Sequence, residues 1–201
     1  TVSARAVLPA GWSNADIGAP GMAGSSGYTN GNWTVRGGGT DIYNNSDQFQ
    51  YAYTTVNGDS TLIAQVTSLQ NTDSGGWAKA GIMFRNVTSA AAVDVSIIQS
   101  STHGVSYQWR STANGGTSQN AITGINPPVW LRLVRSNATF TGSFSTNNGS
   151  TWVQVNSQSV TMSTAVLAGL DVTAHNNAAL NTSTFTNVSV TGALTNAPPQ
   201  I

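Results

Sequence analysis

WAKAGIMFR, residues Trp77 to Arg85, reads as a β-strand that also carries two cations. Successive side chains of a strand point to opposite faces. Ala78, Ala80, Ile82 and Phe84 then make one apolar face, and Trp77, Lys79, Gly81, Met83 and Arg85 make the other. Such a strand packs its apolar face on a core and turns its cations away. The chain has only 7 Lys and Arg among 201 residues, so two on one strand need a reason.

The same alternation recurs along the chain. Strands are expected at 33–35, 48–54, 61–68, 78–85, 93–99, 105–110, 130–135, 139–145, 152–160, 168–175 and 184–190. Between them lie NGD, SGG, STHG, NGG, NPP and NNG, all turn chemistry. Few windows place apolar residues at helical spacing, and Thr, Val, Ser, Asn and Gly dominate. About eleven or more strands without crossover helices predict an all-β, antiparallel sandwich or barrel.

Composition narrows the function. Charged residues make up 7% of the chain, against about 25% in an ordinary domain. Glu is absent, and the net charge is zero, which removes the basic footprint of a nucleic-acid binder. No long apolar run predicts a membrane span, so neither nucleic acid nor membrane is an expected partner. Cys is absent, which excludes a disulfide framework and a thiolate nucleophile. The Thr/Ser/Asn/Gly-rich, Lys-poor composition suits a secreted, extracellular protein, with any export signal outside this chain. Residues 1–192 are expected to form one module, a monomer. The stretch TNAPPQI suggests that residues 193–201 are a Pro-containing linker to a following, covalently attached domain.

Charge is concentrated on one register. Lys79, Arg85, Arg110 and Arg132 all fall opposite the apolar face of their strands, joined by Asp94, Gln108, Asp171 and His175 and edged by Trp77 and Trp130. Outward residues of a sheet are polar by default, and cross-strand ion pairs add only about 0.2–1 kcal/mol each. The alternative is a ligand platform, in which aromatic faces meet sugar C–H groups and planar polar side chains fix hydroxyls. The platform requires these strands to be neighbours in one sheet. Its Arg excess would suit an acidic sugar, unless Asp94 and Asp171 neutralise it.

Six stretches carry a resemblance: LPAGWSNADIGAPGMAGSS, GGGTDIYNNSDQF, GDSTLIAQV, WAKAGIMFR, WLRLVRSNATFTGSFSTNNGSTW and AGLDVTAHN. Over 8–190 the chain resembles the concanavalin A-like modules of the DUF1349 (regulation-of-enolase-like) group, which are appended to secreted bacterial carbohydrate-active enzymes. The resemblance implies a two-sheet jelly roll and a multidomain setting, and it names no ligand. Tyr43 stands where the pattern often has Trp, and Thr186 where it often has Asp.

Two local motifs stand apart. STNNGSTW, Ser145 to Trp152, is similar to an Asp-box with Asn147 in the Asp position, and reads as a turn-folding device. DIYNNSD clusters oxygen donors, and Asp41 and Asp47 are the candidate ligands of a structural Ca²⁺, a cation that takes about six to eight oxygens. No other cofactor is expected.

A glycosidase needs two carboxylates at defined separation. Asp94 and Asp171 are the only acids on outward strand registers, and Asp171 and His175 would lie roughly 13 Å apart along a strand. The expected function is therefore a non-catalytic carbohydrate-binding module for a polysaccharide or oligosaccharide. Its candidate site is Trp77, Lys79, Arg85, Asp94, Gln108, Arg110, Trp130, Arg132 and His175. Trp12, Trp33 and Tyr43 offer an alternative loop site. A structural or adhesion spacer is the competing reading, and a glycan-active enzyme a third.

Overall fold

A computed structural model describes residues 7–194. The expected linker lies almost wholly outside these residues. Thirteen antiparallel strands are present among them, and no helix. They are β1 (Ser13–Ile17), β2 (Ser25–Thr29), β3 (Asn32–Gly39), β4 (Phe49–Leu69), β5 (Lys79–Arg85), β6 (Asp94–Ser100), β7 (Val105–Arg110), β8 (Ser118–Ile122), β9 (Val129–Ser136), β10 (Thr139–Ser145), β11 (Val153–Ser159), β12 (Ala165–Thr173) and β13 (Asn176–Leu194).

The pairings resolve into two layers joined by β4. The first half of β4 pairs with β1 and β12, and the sheet continues through β5, β6, β7 and β8. The second half pairs with β9 and β13, and that sheet continues to β10 and β11 on one side and to β3 and β2 on the other. NGD at 57–59 is therefore a corner and not the reversal its composition suggests. Gly58 turns the chain at φ 66° while the residues on both sides stay extended. Its N–H goes to the Thr164 carbonyl at 2.9 Å, which anchors the corner.

The core lies between the layers. Ala80, Ile82 and Phe84 of β5, Val95 and Ile97 of β6, and Leu170 and Val172 of β12 meet Leu131 and Leu133 of β9 and Phe140 of β10, all fully buried. Each of the larger side chains, the Val, Leu, Ile and Phe, contributes about 1.5–3 kcal/mol by leaving water.

The outer face of the first sheet is covered as well. Residues 40–48, between β3 and β4, fold back across it. Ile42 reaches Ile17, Phe49, Tyr51 and Met83 in a second apolar cluster. Backbone bonds fasten the segment to its surroundings: Asp47 N–H to the Ala90 carbonyl at 3.0 Å, and Thr117 N–H to the Asn44 carbonyl at 2.8 Å. Every residue of β5 and β6 is consequently buried on both faces.

The Ser145–Trp152 turn folds as its motif predicts. Asn147 Oδ1 accepts the Thr151 N–H at 3.0 Å, the Ser145 hydroxyl accepts the Gly149 N–H at 3.1 Å, and Gly149 adopts φ 77°.

Candidate functional site

A row of alternating charge crosses the covered face. Arg85, Asp94 and Arg110 are directly opposite one another on β5, β6 and β7. Asp47, from the covering segment, closes the row from above. Its Oδ2 accepts Arg85 Nη1 at 2.8 Å and Arg110 Nη1 at 2.7 Å, and its Oδ1 accepts Arg110 Nη2 at 2.5 Å. Asp94 Oδ2 accepts Arg110 Nη1 at 2.8 Å and Arg85 Nη1 at 3.2 Å. The two guanidiniums also donate to the carbonyls of Ser89, Ala90 and Ala92. Buried charges survive in such a place only when paired and hydrogen-bonded. Burial, reinforced by the Asp47 charge, pushes the Asp94 carboxyl up to about 7 against the pull of both arginines.

Asp171 sits on the same face, opposite Tyr51 and Gly81. It is wholly buried, and neither carboxylate oxygen has a hydrogen-bond partner among the described residues. Burial, then the Asp94 charge, holds its carboxyl well above the usual carboxylate range.

Beside this network the face opens into a pocket of about 280 Å³. It is lined by Asp41 and Tyr43 of the covering segment, Trp77 and Lys79 at the start of β5, Gln119 of β8, and His175 just beyond β12. Lys79 is spent: Nζ donates to Asp41 Oδ1 at 2.5 Å and to the Ile42 carbonyl at 3.0 Å, and lies 5.3 Å from the Tyr43 ring centre. Asp41 Oδ2 forms no hydrogen bond among the described residues and faces His175 Nε2 at 3.5 Å. Gln119 accepts the Gln108 amide on Oε1 at 3.0 Å and keeps its own Nε2. Trp77 stacks on His103 at 3.7 Å between ring centres, and the pocket touches Trp77 without touching His103. The site thus offers aromatic surface, an acceptor and a donor.

His175 reaches the pocket by leaving the strand. Its backbone is left-handed, φ 50°, a conformation uncommon outside glycine and Asn-like residues. The ring lies between Asp41 and Asp73, with Nδ1 3.6 Å from Asp73 Oδ2. Burial raises the Asp73 carboxyl, but N–H donors from Trp77, Gly75 and Ala78, with His175, hold it below the ordinary value. Strand geometry would pair His175 with the Asp171 register; the turn after Thr173 sends it to Asp41 instead.

The predicted residues therefore separate into three places. Lys79, Arg85, Asp94, Gln108 and Arg110 do share one sheet face, but that face lies beneath the 40–48 segment and not in solvent. Arg85, Asp94 and Arg110 form its buried network, while Trp77, Lys79 and His175 line the pocket. Trp130 and Arg132 are on β9, in the other sheet. There Arg132 packs over the Trp152 ring at 4.3 Å beside the 145–152 turn, and neither residue joins the platform. The surplus of Arg does not present positive charge to a ligand, because Asp47 and Asp94 consume it.

Asp41 and Asp47 point to different partners, Lys79 for one and the two arginines for the other. Among the described residues no group of three or more His, Cys, Asp or Glu side chains is placed to hold a metal ion. The alternative loop site separates in the same way. Trp33 is buried in the core with Trp12 at 4.6 Å between ring centres, and Tyr43 goes to the pocket. The pocket also recruits Gln119, which lies in an exposed polar strand whose sequence, SQNAI, has no apolar alternation to reveal it. His103 and Asp73 sit in turns and gave no sequence signal of a shared site.

No protein-family model matches the chain, and no curated protein matches it. Solved structures do. A functionally unknown protein from Saccharomyces cerevisiae superposes with TM-score 0.67 at 18% identity over 90% of this chain and 97% of its own. The carbohydrate-binding module CBM66 from Bacillus subtilis gives TM-score 0.57 at 18% identity, covering 90% and 95%. Lectin II from Ulex europaeus gives TM-score 0.56 at 9% identity, covering 91% and 98%. An alginate lyase from Klebsiella pneumoniae has the same fold. At these identities the likeness is one of fold: the chain has the two-layered, concanavalin A-like jelly-roll fold of these structures.

Proposed function

We propose that this chain is a non-catalytic carbohydrate-binding module that holds a saccharide in the pocket between Trp77, Tyr43, Asp41 and Gln119. The observation that carries this reading is the pairing of aromatic surface with two polar atoms that form no hydrogen bond among the described residues, Asp41 Oδ2 and Gln119 Nε2, in one pocket on a sheet face. Sugar sites combine a stacking surface with a few placed polar groups in this way. Carbohydrate-binding and lectin folds among the structural neighbours support it. Asp41 is the sole carboxylate of the lining, whereas glycoside hydrolysis uses two. The secreted, multidomain setting expected from composition and resemblance belongs to the same proposal.

Affinity electrophoresis in gels containing a panel of neutral and anionic polysaccharides tests it. Retarded migration on at least one glycan, lost in Trp77→Ala, is expected. Unretarded migration on all of them favours a spacer module. The lyase among the structural neighbours gives the enzyme reading a direct check: incubation with the same panel should release neither reducing ends nor unsaturated products.

A further inference from the structure

We infer that the pocket selects uncharged, hydroxyl-rich sugars and rejects uronates and sulfated glycans; this rests on the carbohydrate-binding reading above. The inference follows from where each charge is spent. Three cations lie on or beneath this sheet face, and a ligand can use none of them. Arg85 and Arg110 are fully buried, and the terminal nitrogens of both are paired with Asp47 and Asp94. Lys79 is 2% exposed and its ammonium is committed to Asp41, the Ile42 carbonyl and the Tyr43 ring.

What remains accessible is acidic or neutral. Asp41 keeps 22% of its side chain exposed, with Oδ2 3.5 Å from His175 Nε2 and in no hydrogen bond among the described residues, and Asp73 stands behind His175. Asp41 and Asp73, on either side of the His175 ring, together outnumber Lys79. A ligand carboxylate or sulfate entering here would meet a carboxylate with no compensating guanidinium. A hydroxyl meets an acceptor that favours it: a carboxylate oxygen takes a charge-assisted hydrogen bond from O–H. Gln119 Nε2 supplies a donor to a neighbouring oxygen, and the Trp77 indole, covered on one side by His103, offers its remaining surface to the C–H face of the ring. Acceptor, donor and stacking surface together describe a neutral sugar with adjacent hydroxyls.

The experiment uses the intact chain on paired polymers, neutral β-glucan, mannan and fructan against polygalacturonate, alginate and heparin, by affinity electrophoresis and calorimetry. At about 20 mM salt, where charges act over tens of ångströms, at least one neutral polymer should bind at least tenfold more tightly than every anionic one. Raising salt to about 0.5 M should change the neutral affinity by less than about twofold, since no ion pair forms with the ligand. Preferential, salt-sensitive binding of a uronate or sulfated polymer overturns the inference while leaving the sugar-binding reading intact. Retention by none of the six overturns both. Asp41→Asn, checked for folding by circular dichroism, should weaken the neutral ligand. Gln119→Ala, at an exposed position and checked for folding in the same way because Gln119 Oε1 accepts the Gln108 amide, should weaken it too, and an unchanged affinity in both variants removes the assigned contacts.

Discussion

Arg110 and Asp47 are joined by two parallel guanidinium–carboxylate bonds, Nη2 to Oδ1 at 2.5 Å and Nη1 to Oδ2 at 2.7 Å, with neither side chain exposed. This pair staples the 40–48 segment onto the sheet. It thereby places Asp41 and Tyr43 at the pocket mouth, although neither Arg110 nor Asp47 touches that pocket.

Asp47→Ala should cost about 3–5 kcal/mol in urea-induced unfolding, because Arg85 and Arg110 would stay buried with one carboxylate between them. A loss below about 1 kcal/mol would mean that the segment is held by its apolar and backbone contacts alone.

Trp77→Ala should lower glycan affinity by at least about tenfold, or 1.4 kcal/mol. Its thermal midpoint should stay near that of the parent, since Trp77 is half-exposed and precedes the strand proper. Arg132→Ala is the contrast. It should leave glycan affinity unchanged and reduce stability by about 0.5–2 kcal/mol through the lost Trp152 contact. Loss of sugar binding in Arg132→Ala would move the site to the other sheet.

Asp171 predicts a pH dependence. Its carboxyl is raised in the folded state by burial and then by the Asp94 charge, so the folded chain binds a proton that the unfolded chain releases. The resulting stability is complete below the ordinary Asp value of 3.8 and falls as pH rises toward the folded-state value. The slope for one such group is about 1.4 kcal/mol per pH unit. Asp94, raised to about 7, adds to the same limb and has the same sign. Asp171→Asn should flatten this limb and be no less stable than the parent at neutral pH, as denaturation over a pH series would show. An unchanged slope would mean that Asp171 is ionised in the fold.

Asn147→Ala should destabilise by about 1–2 kcal/mol, as the Thr151 N–H and the Ser145 hydroxyl lose their acceptor. Glycan affinity should not change, because the turn lies on the other sheet.

Much of the fold was legible in Trp77–Arg85 and its counterparts. The apolar register Ala80/Ile82/Phe84 and the opposing Lys79/Arg85 are set by the two-residue period of a strand, and both lie where alternation puts them. The Asn147–Gly149 turn was legible for a similar reason, since its bonds close within seven residues. Strands β1, β2 and β8 were not, because they are short and polar and owe their pairing to neighbours already in place.

The candidate site was only half legible. Sequence alternation could say that Lys79, Arg85, Asp94, Gln108 and Arg110 point away from the core. It could not say that a segment from 40–48 would cover them, because no local period encodes what packs on top of a sheet. Nor could it separate Arg132 from Arg110, which differ by sheet and not by register. By itself the sequence determined the all-β class, the faces of each strand and the tight turns, all consequences of short-range geometry. Tertiary structure alone decided which strands became neighbours, which cations were neutralised by distant carboxylates, and how Asp41, Tyr43, Trp77, Gln119 and His175 came to face one pocket. These contacts join residues tens of positions apart, and their energy exists only once the layers have packed.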